Sequence, residues 1–138
     1  TSFGPCSCIV RGNTMTSNTT LTSPELVITE YVEACRAGDA ERLRRLFHVD
    51  ALMVGYCADE YYMGTPEPFY DEVRDNPAPS QSDEDYQGEI TSVEIHGNMA
   101  SVTLKETSFL GASFTNWFHL SCVDGNWQIV CKSYQDGK

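Results

Sequence analysis

Residues 113–134 read SFTNWFHLSCVDGNWQIVCKSY, two alternating apolar runs that meet at Asp124-Gly125. Asp-Gly between such runs marks a β-hairpin, because both central residues of a type I′ turn need positive φ. With these two as the loop, Trp127 faces Cys122, Ile129 faces Leu120, Cys131 faces Phe118 and Ser133 faces Asn116. One face is then almost wholly apolar and ends in two small polar groups, Asn116 and Ser133. A register moved by one residue would set Ile129 beside Ser121 and Cys131 beside His119, mixing the faces. The opposite face carries Trp117, His119, Val130, Lys132 and Tyr134, with Lys132 across from Trp117 for a cation to ring contact.

Upstream of this hairpin, Ile90 to His96 and Met99 to Phe109 flank Gly97-Asn98 as two further strands. Val93, Ile95, Ala100, Val102 and Leu104 share one face, and Ser92, Glu94, Ser101 and Thr103 share the other. Earlier still, helices are expected. Ser23-Pro24-Glu25 combines a capping hydroxyl, proline at the first helical position and an early acid. Val27, Tyr31, Ala34 and Cys35 follow at helical spacing until Gly38. Asp39 opens a second short helix that buries Leu43, Leu46 and Phe47 and turns Arg42, Arg44 and Arg45 to water. Ala51 to Tyr56 and Tyr61 to Gly64 read as a small hairpin. Thr65-Pro66-Glu67 starts a third helix through Phe69, Tyr70 and Val73, stopped by Asn76-Pro77. Helix, helix, hairpin, helix and four strands is an α+β order: a cone-shaped, curved, mainly antiparallel sheet with about three helices of the N-terminal half covering its concave face.

Composition narrows the function classes. The chain has 138 residues, enough for one core, and carries a net charge of -11. Twelve acidic residues and one basic residue, Arg74, lie between Leu46 and Leu104, while the remainder holds eight of each sign. Nucleic acid is a poor partner for such a chain, since phosphate binding requires clustered Lys and Arg. No apolar run is long enough to span a bilayer, so no membrane partner is expected. Residues 1–22 lack periodicity and a signal-peptide pattern, and read as a mobile tail before a single domain over 23–135. Within that tail Met15 is a candidate start, and Asn18-Thr19-Thr20 fits a glycosylation sequon by accident.

Six cysteines do not form a disulfide framework. Cys122 and Cys131 lie on paired strands but about four residues, roughly 13 Å, apart, beyond the roughly 7 Å that a bridge allows between α-carbons. Cys35 and Cys57 suit small core positions. Cys6 and Cys8 form a close pair without a second pair to complete a zinc site. Asp59-Glu60 and Asp83-Glu84-Asp85 lack the ligand spacing of a calcium loop. Neither a metal nor a cofactor is expected, and reduced thiols suit the cytoplasm.

The element order, Arg36-Ala37-Gly38-Asp39-Ala40 leading to Leu46-Phe47-His48-Val49-Asp50-Ala51, and the ending Phe114-Thr115-Asn116-Trp117 through Asp124-Gly125-Asn126-Trp127-Gln128-Ile129-Val130-Cys131-Lys132 resemble the nuclear transport factor 2-like superfamily. Within it, SnoaL-like and lumazine-binding-like small proteins are the most similar. The resemblance covers roughly Pro24 to Tyr134 and implies a ligand inside the cone. Carried onto this sequence, the wall includes Phe114, Asn116, Phe118, Cys131 and Ser133, closed by Tyr31, Tyr56, Tyr61 and Phe69. It also implies a homodimer through the outer sheet face of Trp117, His119, Val130, Lys132 and Tyr134. The position aligned to Asn116 is often acidic in such relatives, and an amide cannot abstract a proton. His119 falls on the outer face, His96 abuts a turn and His48 follows a helix, so no catalytic set emerges. The expectation is a dimer with an interior pocket for a small, mostly apolar molecule of unknown identity. The alternatives are a SnoaL-like isomerase, cyclase, dehydratase or hydrolase, and a dimerising scaffold whose interior is filled by its own side chains.

Overall fold

The computed structural model describes residues 20–137. Met15, Asn18, the Cys6 and Cys8 pair and most of the expected tail lie outside these residues.

The helices begin where the capping chemistry places them. Ser23 Oγ accepts a hydrogen bond from the Leu26 N–H at 3.1 Å, and α1 runs Pro24–Ala37. Gly38 ends it at φ +66°, where a Cβ would lie 2.7 Å from that of Ala78, so conformation and close approach both require glycine. Asp39 caps α2, Ala40–Leu46, by accepting from the Arg42 N–H. Phe47, expected in this helix, instead opens β1, Phe47–Cys57, while its ring stays buried. A hairpin with Ala58 and Asp59 at positive φ leads to β2, Glu60–Gly64. Then α3, Glu67–Asp75, buries Phe69, Tyr70 and Val73. Four long strands complete the order: β3 (Gln87–His96), β4 (Met99–Phe109), β5 (Ala112–Val123) and β6 (Asn126–Asp136).

All six strands form one sheet in the order β2-β1-β6-β5-β4-β3, antiparallel at every step except β1 beside β6, which is parallel. The helices cover one face of it. From α1, Val27, Ile28 and Tyr31 are wholly buried together with Leu43 of α2 and Val102, Leu104, Leu120 and Ile129 of the sheet. Tyr31 meets Phe118 edge-on with ring centroids 4.9 Å apart. The fold is α+β with a mainly antiparallel curved sheet, as the order of elements implies.

The hairpin departs from the simple register halfway along. Asp124 and Gly125 have φ of +53° and +80°, and Cys122 pairs with Trp127 and Leu120 with Ile129. Val130 is then an extra residue, after which His119 pairs with Cys131, Phe118 with Lys132, Trp117 with Ser133 and Asn116 with Tyr134. A bulge sets two residues against one, and because side chains alternate, everything beyond it changes face. Cys131 and Ser133 therefore lie on the outer face, not the inner wall. Lys132 and Tyr134 lie inside, not on the outer surface, and Ser133 rather than Lys132 stands across from Trp117. The bulge falls where β6 also pairs with β1, whose own register shifts between Phe47 and Leu52.

Alternation in β1 corrects two more positions. Ala51, Met53 and Gly55 point inward, so Tyr56 points out beside Tyr61, with the two 45% and 58% exposed. Neither closes the cone. Tyr62 turns inward in their place, its hydroxyl donating to the Thr65 carbonyl at 2.6 Å.

Candidate functional site in the cone interior

The inner face of the sheet is apolar except for a compact polar group near its centre. Glu106 is 2% exposed, Asn116 wholly buried and Lys132 5% exposed. Strand pairing places them together: Asn116 lies opposite Leu104 and Tyr134, Lys132 lies opposite Phe118 and Met53, and Glu106 lies opposite Phe114. Phe114 and Tyr134 pack edge to face, with centroids 6.2 Å apart. Gly55 makes room for the Tyr134 ring, since a Cβ there would come within 2.6 Å of its ring carbons.

Both carboxyl oxygens of Glu106 are engaged. The Tyr86 hydroxyl donates to one at 2.6 Å, and Asn116 Nδ2 donates to the other at 2.8 Å. Among the described residues the remaining amide oxygen, Asn116 Oδ1, is buried with no hydrogen-bond partner, and the buried Tyr31 hydroxyl has only the weak Cys35 thiol. Lys132 has no ion pair within contact distance among the described residues. Its Nζ sits 4.0 Å from the centre of Phe69, 4.9 Å from Tyr134 and 5.9 Å from Tyr31, in an aromatic enclosure. Removal from water pushes the Lys132 pKa down, and the nearby Glu106 opposes part of that shift. The same burial, followed by the neighbouring Cys35 and Glu106, pushes the Tyr31 and Tyr86 hydroxyls well up. Burial also raises the Cys35 thiol.

Of the nine expected ligand contacts, Tyr31, Phe69, Phe114, Asn116 and Phe118 face the interior. Tyr56, Tyr61, Cys131 and Ser133 face away from it. Of the expected outer set, Trp117 and His119 are outside, Val130 is the bulge residue, and Lys132 and Tyr134 are within. Glu106 supplies the carboxyl that the Asn116 position lacks. Its signal is in the sequence, because the inward series Ala100, Val102, Leu104 reaches it in one more step of two.

A cleft lies elsewhere. About 920 Å³ opens between α2, the beginning of β1 and the beginning of β6, bordered by Arg42, Arg44, Arg45, His48, Tyr70 and Trp127 among others. None of the nine expected ligand contacts lines it. Among the described residues no cluster of His, Cys, Asp and Glu suits a metal ion, and no helix is long and apolar enough to cross a membrane.

Known proteins place this geometry. Residues 23–135 match the model of the family described as "Putative lumazine-binding". A protein of unknown function from Shewanella baltica OS155, described as NTF2-like, is similar at 26% identity, covering 81% of this chain and 89% of that one, with a TM-score of 0.73. Another from Methylobacillus flagellatus KT is similar at 27% identity over 81% of this chain and 87% of that one, with a TM-score of 0.74. A third, from Silicibacter pomeroyi DSS-3, shares 26% identity over 82% and 92%, with a TM-score of 0.72. A comparison with curated proteins finds no match. The chain belongs to the lumazine-binding-like family of the nuclear transport factor 2-like superfamily.

Proposed function

We propose that this protein binds a small molecule inside the cone, at the polar group formed by Glu106, Asn116 and Lys132, and does so as a homodimer. The observation that carries the reading is a pair of poorly satisfied buried atoms: Asn116 Oδ1, without a hydrogen-bond partner among the described residues, and the Tyr31 hydroxyl, whose one polar neighbour is the weak Cys35 thiol. Leaving a buried polar atom without a partner costs about 1–3 kcal/mol, which a ligand offering a donor to one and an acceptor to the other would recover. The Lys132 ammonium, enclosed by ring faces with Glu106 near but not in contact, would favour an oxygen acceptor as well. The ligand is therefore one with a polar head and an apolar body, more polar than the flanking aromatic side chains alone would imply. Among the described residues Cys35, Cys57 and Cys131 carry free thiols, which suit the reducing cytoplasm that this reading includes.

Thermal-shift screening tests it, with lumazine as the first probe because the matching family carries that name. A hit should lose its shift in Asn116→Leu; a hit whose shift survives that change places the site elsewhere. Protein that retains no small molecule in native mass spectrometry and shifts with no probe would instead favour an interior filled by its own side chains.

One observation favours a catalytic version of the same site. Glu106 places a carboxyl, hydrogen-bonded to Tyr86 and Asn116, where a bound molecule could exchange a proton with it. Glu106→Gln should then abolish turnover of a substrate while leaving its binding intact.

A further inference from the structure

We propose that the cleft between α2 and the starts of β1 and β6 is a second binding site, for a small molecule carrying a phosphate monoester. The cone interior plays no part in this inference.

Charge is the first argument. The chain as a whole is strongly acidic, at -11, yet the cleft gathers three arginines against two glutamates. Those glutamates are already engaged. Glu30 Oε2 accepts from Arg42 Nε and Nη2 at 3.1 and 3.0 Å, and Glu67 forms a two-bond fork with Arg44, whose guanidinium also lies 4.5 Å over the Tyr70 ring. Arg42 and Arg44 are thereby held in place. Arg45 is different: it is exposed, lines the cleft and makes no ion pair among the described residues. Glu41, outside the lining, adds a carboxylate 3.8 Å from Arg44, so Arg45 is the one arginine of the cleft without a carboxylate partner among the described residues, and its five donors are open to an oxyanion.

The second argument is a fixed imidazole. His48 Nδ1 accepts a hydrogen bond from the Asp50 N–H at 2.9 Å, so in the neutral ring the proton sits on Nε2. His48 lines the same cleft and is half-buried, and it offers that Nε2–H as a second donor. An arginine of α2 and a histidine of β1 thus line one cleft, and together they offer more donors than the two oxygens of a carboxylate can use, which favours the three terminal oxygens of a phosphate monoester. The third argument is the wall behind them. Phe47, Tyr70 and Trp127 are almost fully buried along the cleft, and its volume exceeds what an inorganic ion needs, so an ester group has somewhere to lie.

The test follows the two tryptophan indole N–H signals in proton–nitrogen correlation spectra, assigned with Trp117→Phe, while phenyl phosphate, inorganic phosphate or phenol is added at constant ionic strength. Saturable movement of the Trp127 signal with phenyl phosphate, weaker with inorganic phosphate and absent with phenol, is the expected result. Arg45→Ala should weaken the phenyl phosphate affinity by ten-fold or more, and Asn116→Leu should leave it unchanged. The proposal is overturned if phenyl phosphate gives no saturable shift up to about 10 mM, if phenol acts equally, or if Arg45→Ala binds as well as the original chain. Loss of binding in Asn116→Leu would also overturn it, by tying the response to the interior.

Discussion

A single carboxyl organises the cone interior. Glu106 is the shared acceptor for Tyr86 and Asn116, and each of those donors would be buried without it. Glu106→Leu should therefore destabilise the protein by about 2–5 kcal/mol in urea unfolding, because two donors lose their acceptors. Glu106→Gln should cost less than half of that: its amide oxygen can accept from Tyr86, and its NH₂ can donate to the unpartnered Asn116 oxygen once that amide rotates. Equal losses in the two variants would show that hydrogen bonding is not what Glu106 contributes. Titration offers a separate check. Tyr31, Tyr70 and Tyr86 have raised pKa values, so the stability they contribute is complete below their ordinary value of 10.0 and is lost as pH climbs above it. Lys132 has the opposite sign. Its folded pKa lies below 10.5, so the cost of burying its charge is present at neutral pH and lifts as pH rises through the depressed value. Across the window below 10.5, unfolding free energy should rise with pH relative to Lys132→Met, in which that contribution is gone; parallel curves would refute it. Position by position, the interior was readable where alternation ran unbroken, as at Phe118 and Asn116. Glu106 was legible by the same rule, but an acid on a strand of an acidic chain reads as surface.

At the scale of elements, the inserted Val130 separates what could be read from what could not. The turn at Asp124-Gly125 follows from local φ requirements, and its register holds through Ile129. Beyond that point the pattern of β6 depends on two partners at once, β5 and the parallel β1, and no local rule in Ile129-Val130-Cys131-Lys132 says which residue will be left unpaired. The result was to exchange Cys131 and Ser133 for Lys132 and Tyr134. The consequence reaches β1, where Tyr134 lies against Gly55. Gly55→Ala would drive a methyl into the Tyr134 ring and backbone, and should cost about 1–3 kcal/mol or more by overpacking. A near-native midpoint in denaturant would mean that the two strands can part locally without loss. Tyr134→Gly removes the ring but not the Tyr134 carbonyl oxygen, which is the nearest atom, so combined with Gly55→Ala it should relieve the strain only in part.

Over the molecule as described, the outer face of the sheet stays uncovered by the helices. Once register is known, Leu52, Val54, Tyr56, Tyr61, Met63 and Trp117 share that face, and Leu52, Tyr56, Tyr61, Met63 and Trp117 are each at least 44% exposed. Apolar side chains grouped in this way on a surface commonly mark a contact with another molecule. The homodimer proposed above would use it, with Cys131 and Ser133 in the middle and without Lys132 or Tyr134. Trp117→Glu or Leu52→Glu should yield monomers in sedimentation velocity; a dimer that survives both would place the contact on another surface. The fold class was legible at this scale because the order of helices and strands constrains it strongly. The membership of the outer face was only half legible, since it turns on the same inserted residue.

The lone parallel pairing of β1 with β6 also dictates the order in which the molecule can be completed. The β1–β2 hairpin joins the rest of the sheet only through β6, and the Gln128 side chain bonds the Phe47 carbonyl across 81 positions of sequence. During synthesis that hairpin and the helix beside it must wait, edges unpaired, until the opposite end of the domain has left the ribosome. Contacts of such long reach slow folding and lengthen the exposure of apolar strands. A chain with only the residues up to about Asp124 outside the ribosome would hold two disconnected sheets, with apolar edges that chaperones recognise.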